Sequence, residues 1–261
     1  MAKQSLAEQL SESNLSKYLF LHAQSVLQPK VEKHLANKSH QLKLNSEYER
    51  YIMEVFKAQS RIINTIESLQ YIPLLLKRLP PKDFFDRHDL SKAKYFQYQL
   101  ENHIIRISTI YDQMVLFVNA SYQLGIPEKK CSEDLIVNNK HTKNTDAIKC
   151  LKDCKKAIVG IITARNLIVH RGEFEDSDFD RLRSFTLIEK YGDPDEPAEI
   201  GGLSLFSKFM VENLSKTVQR DKILLVEKNN TSLVKILLNF FKSLENPINA
   251  HVVALHAIRG S

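Results

Sequence analysis

The residues best suited to chemistry lie in one short run, Arg165-Asn166-Leu167-Ile168-Val169-His170. An imidazole accepts or donates a proton near neutrality, and a guanidinium offers a planar fork of donors to anionic oxygens. Read as helix, Arg165 has Ile161, Ile162, Ile168 and Val169 at the three- and four-residue spacings, and it continues the seam Leu151, Ile158. A guanidinium on an apolar seam needs compensation from an internal carboxylate, a partner subunit or a phosphate. Two bland explanations compete with a site: the Arg stem lying along apolar surface with its head in water, or a structural ion pair. Asn166 and His170 are four apart and share a helix face, whereas Arg165 and His170 do not align on an ideal helix. With 11 Arg and 9 His in 261 residues, chance supplies about 0.4 pairs at this spacing. The pattern therefore carries weight only through its context: the adjacent Asn, a helix end and an apolar seam.

The elements that must position these groups read as helical throughout. The chain has only 7 Gly and 8 Pro, too little turn chemistry for a β-rich fold. Apolar residues from Leu6 to Leu27 recur at helical spacing, and Pro29 predicts two pieces or one kinked helix. A long helix is expected over 46–78, ended by Pro80-Pro81, and another over 91–124, begun by Ser91 and closed by Gly125-Ile126-Pro127. Residues 128–143, with Lys129, Lys130, Lys140 and Lys143, look like a flexible basic connection. The motif helix is expected over about 145–170, with Gly172 just past it. Asp193-Pro194-Asp195-Glu196-Pro197 and Gly201-Gly202 signal loops. Two closing helices are expected from Leu203 to Leu244, broken at Lys228-Asn229-Asn230, with Lys222–Glu227 a possible short strand. The expected organisation is a helical extension over 1–44 and a helical domain over 45–258.

Composition narrows the function classes. A formal charge of +6 and 43 % hydrophobic residues describe an ordered globular chain whose mildly basic surface permits a polyanionic partner. Cys131, Cys150 and Cys154 are an odd, low count, which favours a reducing compartment, and Cys150 and Cys154 read as small core residues. Met1–Leu10 has no apolar core of a signal peptide, and the longest apolar runs, such as Tyr71–Leu76, are too short for a bilayer. A cytoplasmic protein with no membrane association is expected. No metal-ligand cluster is visible, and no Gly-rich phosphate loop supports a kinase or nucleotidyltransferase.

The run Arg165-Asn166-Leu167-Ile168-Val169-His170 resembles the R-N-x-x-x-H motif of the HEPN superfamily. Tyr95-Phe96 through Leu100-Glu101, Tyr111-Asp112 and Tyr122-Gln123-Leu124-Gly125 resemble the preceding helix of the clostridial, Cthe2314-like HEPN branch. The resemblance covers roughly residues 90–175. It implies an all-α HEPN-like helical bundle that dimerises, bringing two motifs into one cleft, and a metal-independent endoribonuclease without cofactor. It further implies a toxin or antiviral defence effector, with an antitoxin or sensor as possible partner. In that chemistry the 2′-OH of RNA attacks its own phosphodiester; His170 moves the proton, Arg165 holds phosphate oxygens, and Asn166 orients His170 or donates to phosphate. Asp112 and Glu101, on the stripe Glu101, Ile105, Ser108, Asp112, Val115, Asn119, are supporting candidates as partners of Arg165, and Arg171 as a backbone contact. Where members neutralised by nucleotidyl transfer carry Tyr two residues after the His, this chain has Gly172. A catalytically inactive RNA-binding or protein-interaction module is the alternative.

Overall fold

The computed structural model describes residues 4–37, 44–172, 174–191, 199–200, 203–204 and 208–259. The helices are α1 (Leu6–Ser11), α2 (Asn14–Asn37), α3 (Glu47–Lys77), α4 (Lys82–Arg87), α5 (Lys92–Ser121), α6 (Glu133–Val137), α7 (Asp146–Arg171), α8 (Ser177–Tyr191) and α9 (Lys208–Arg259). A 3-10 turn spans Glu128–Lys130, and β1 (Glu199–Ile200) pairs antiparallel with β2 (Leu203–Ser204). The architecture is all-α apart from that two-residue ladder. None of the described helices is long and apolar enough to cross a membrane.

Helix starts follow local hydrogen-bond chemistry. Ser5 caps α1 in a reciprocal box with Glu8. Ser46 Oγ accepts from Glu49 N while Glu49 Oε2 accepts from Ser46 N, which begins α3 where the sequence places it. Ser91 Oγ accepts from Lys94 N at the start of α5. Pro29, Pro73 and Pro247 all lie inside helices, each forfeiting one backbone bond, so of the two expected outcomes at Pro29 the single helix is the one found.

The closing region departs most from expectation. One helix, α9, replaces the two helices expected to break at Lys228-Asn229-Asn230, and Lys222–Glu227 is helical rather than extended. The reason is visible in its buried stripe: Val211, Ser215, Val218, Lys222, Val226, Asn230, Leu233, Leu237, Phe240 and Leu244 recur every three or four residues without interruption. Asn230 takes its place in that stripe at 2 % exposure, with Lys228 exposed and Asn229 half-buried beside it, so the polar triplet continues the helix and is not a break. Residues 128–143 are likewise more ordered than a flexible connection. Ser132 caps α6, Ile136 is buried in it, and the buried Thr142 hydroxyl donates to the Ile136 carbonyl. The loop signals at 193–197 and 201–202 lie outside the described residues.

The chain divides into two compact units, residues 1–68, 108–159 and 230–261, and residues 69–107 and 160–229. In the first, Phe117 of α5 meets Phe240 and Phe241 of α9 edge-on at 5.9 and 5.8 Å, and all three are fully buried. Buried polar groups there are satisfied across helices: Tyr51 donates to the Ser121 carbonyl at 3.0 Å, and Gln59 donates to Ser16 Oγ at 3.1 Å. In the second unit Phe179 of α8 is fully buried between Phe96 of α5 at 6.5 Å and Phe174 at 5.9 Å, and Gln219 donates to the Leu76 carbonyl at 2.6 Å. That unit carries the motif.

Candidate functional site

The first half of α7 is held as an ordinary core helix. Ala147, Ile148, Leu151, Cys154 and Ile158 are its buried residues and define one seam. The seam then loses its cover. From Val159 to Arg171 no side chain is buried: Val159 and Val169 are 60 % and 49 % exposed, and Ile161, Ile162, Leu167 and Ile168 are half-buried. An apolar helix face left open in one chain is the kind of surface that a partner covers.

Arg165 stands in this open segment and is half-buried, not sunk in the core as the apolar neighbours suggest. Its Nη1 donates to Asn166 Oδ1 at 3.1 Å, and among the described residues it forms no ion pair. Four of its five N–H groups remain for a ligand. Asn166 is exposed, and its carbonyl oxygen is the atom engaged by Arg165. His170 is exposed in the last turn, with no hydrogen bond among the described residues. The Asn166 carbonyl oxygen thus meets Arg165, and among the described residues Asn166 makes no hydrogen bond to His170.

The turn after His170 is sharply made. Gly172 N donates to the Ile168 carbonyl at 3.1 Å with φ +68, the left-handed conformation that glycine adopts without a Cβ penalty. Arg171, beside it, is exposed.

The other candidates are placed as follows. Glu101 is half-buried on the part of α5 in the second unit, and its carboxylate accepts from Gln97 Nε2 at 2.7 Å rather than from a guanidinium. Asp112 is exposed on the part of α5 in the first unit. The cysteines are free; burial, and after it Cys150, pushes the Cys154 thiol up to about 12, and burial also raises Cys131 and Cys150. None is a poised thiolate.

One polar cluster in the motif unit escaped the sequence reading. Lys222 of α9, 8 % exposed, reaches Asp176 Oδ2 at 2.6 Å, Asp176 Oδ1 at 2.9 Å and Asp178 Oδ2 at 2.9 Å. Its ammonium also lies 5.2 Å from the Phe179 ring centroid. Burial is the largest influence on Lys222 and pulls its pKa down, but the two carboxylates together outweigh it and the net direction is up. The Lys222 hydrogen bond holds Asp178 below the ordinary carboxylate value. The available signal was an Asp-Ser-Asp before Phe179, an N-cap pattern, with a lone Lys on an apolar stripe forty-odd residues later.

A family model, the Cthe2314-like HEPN family, matches residues 57–219, more than half of the chain and inclusive of the whole motif. No curated protein and no solved structure matches the chain.

Proposed function

The chain belongs to the Cthe2314-like HEPN family, and from that premise we propose that it is a metal-independent endoribonuclease cleaving RNA by 2′-OH attack at a dimeric site. The observation that carries this reading is the pairing of Arg165 with Asn166, one turn before an exposed His170, on an uncovered apolar helix face. Attack of the 2′-oxygen on the adjacent phosphorus breaks the bond to the 5′-oxygen, leaving a 2′,3′-cyclic phosphate and a 5′-hydroxyl. One group must take the 2′-OH proton and another must protonate the leaving oxygen. Each chain supplies one motif imidazole, so two copies facing each other supply both.

In this mechanism Arg165 donates to the nonbridging phosphate oxygens, where negative charge accumulates, with its fork steadied by Asn166 Oδ1. The Asn166 amide N–H groups add a second donor to the same oxygens. Arg171 holds a neighbouring backbone phosphate. No step calls for a Lewis acid, since the nucleophile is the RNA's own hydroxyl. The biological setting that fits such an activity is a toxin or antiviral defence effector, restrained by an antitoxin or triggered by a sensor.

The test is cleavage of mixed cellular RNA by wild type and His170→Ala in excess chelator. Cutting by wild type and none by the variant is the expected result. Equal cutting, or none by either at high protein concentration, abandons the ribonuclease reading and leaves an RNA-binding or protein-interaction module.

A further inference from the structure

Lys222 meets two carboxylates from a buried position, and that position is chemically expensive. It occupies the buried stripe of α9 between Val218 and Val226, where a Leu or Met would complete an apolar surface. Buried ion pairs contribute little net stability compared with well-packed apolar side chains; their best-attested use is to fix one register. The geometry says what is fixed here. Asp176 accepts two contacts from Lys222 while its Oδ1 also accepts from Asp178 N at 3.1 Å and Phe179 N at 3.4 Å, which caps the start of α8. Asp178 adds a second carboxylate to the same ammonium. On either side of residue 173, Gly172 N is bonded to the Ile168 carbonyl, and Asp176 is held by Lys222 with the Phe174 ring 5.9 Å from that of Phe179.

We propose that Lys222 is a positioning residue for the reaction at His170. By holding Asp176 and Asp178 it sets the end of the motif helix against α9, and so fixes where the imidazole stands. Lys222 itself touches no substrate. The proposal rests on the ribonuclease reading for its catalytic half, whereas its structural half stands on the clamp alone.

The experiment uses the full chain, with Lys222→Met removing the ammonium and keeping most of the stem. Amide hydrogen exchange is followed in peptides covering 166–176 and, for comparison, 110–120 in the first unit, alongside steady-state cleavage of RNA. Exchange over 166–176 is expected to rise roughly tenfold with 110–120 unchanged. The kcat for RNA is expected to fall about tenfold or more at nearly constant KM, because a small misplacement costs rate rather than binding. Lys222→Arg, which keeps charge and reach, restores both. Unchanged exchange at 166–176, an equal rise at 110–120, or an unaltered kcat overturns the proposal. If Lys222→Met does not accumulate folded, Asp178→Asn removes the more exposed half of the clamp and is read by the same criteria at about threefold. Should wild type leave RNA uncut, the ribonuclease reading falls by that result alone, and the exchange data still decide whether Lys222 holds the helix end.

Discussion

At the scale of single residues, the motif divides labour between a group held in place and a group left open. Arg165 leans on Asn166, and His170 is exposed in the last turn with no hydrogen bond among the described residues. Removing an exposed side chain costs little stability, so His170→Ala should melt within about 0.5 kcal/mol of wild type while losing cleavage by about two to four orders of magnitude. Arg165→Lys keeps the charge but loses the fork, and should lose most of the activity as well. A variant that retains cleavage, measured beside an unchanged thermal melt, would remove that residue from the mechanism. That Arg165, Asn166 and His170 share one helix was legible in the sequence, because they sit within one span of helical spacing. What was not legible was the depth of Arg165. Ile161, Ile162, Ile168 and Val169 imply a buried neighbourhood, yet burial depends on what other segments bring to that face, and here the seam is covered only as far as Ile158.

Among the elements, stability is concentrated where helices exchange large side chains. Phe117 is fully buried against Phe240 and Phe241, so Phe117→Ala should cost about 3–5 kcal/mol, read as a lowered urea midpoint. A second element-scale effect depends on pH. His22 of α2 is joined through Nδ1 to Tyr48 Oη of α3 at 2.6 Å, and the His256 ring of α9 lies tilted against Tyr48 at 4.4 Å. Burial first, and the neighbouring His256 second, lower the pKa of His22 below 6.5. The folded state thus favours the neutral ring. Its contribution is present above pH 6.5 and is lost as pH falls through the depressed folded value. Thermal melts between pH 7.5 and 5 should therefore fall toward acid, and His22→Gln should flatten part of that slope; an unchanged slope contradicts the assignment. The helix start at Ser91 was readable from capping chemistry, and that at Ser46 from the apolar stripe that follows it. The continuity of α9 was not, since Lys228-Asn229-Asn230 carries loop-like residue types and only the three- and four-residue spacing on both sides shows that Asn230 belongs to the stripe.

For the whole molecule, the proposed mechanism asks two copies to meet on the open face of α7. On that mechanism a site with one imidazole per chain is half a site, and Val159 and Val169 are exposed on the segment that carries the motif. Val169→Glu places a charge on that face and should shift the protein to monomer by sedimentation while abolishing cleavage. A monomer that still cuts would separate assembly from activity. Nothing in one chain's periodicity announces such a partner, because a helix waiting for a second copy and a helix packed at home share the same apolar spacing. All-helical character was readable from the scarcity of Gly and Pro, whereas the division into units rests on contacts distant in sequence.

The central claim is that His170 moves a proton during transesterification of RNA, and the ends of the cut strands report it most directly. With chelator present, fragments made by wild type should accept phosphate from polynucleotide kinase without prior dephosphorylation and should carry 2′,3′-cyclic phosphate; His170→Ala should yield neither end. Fragments bearing 5′-phosphate, or identical ends from the variant, would contradict the account.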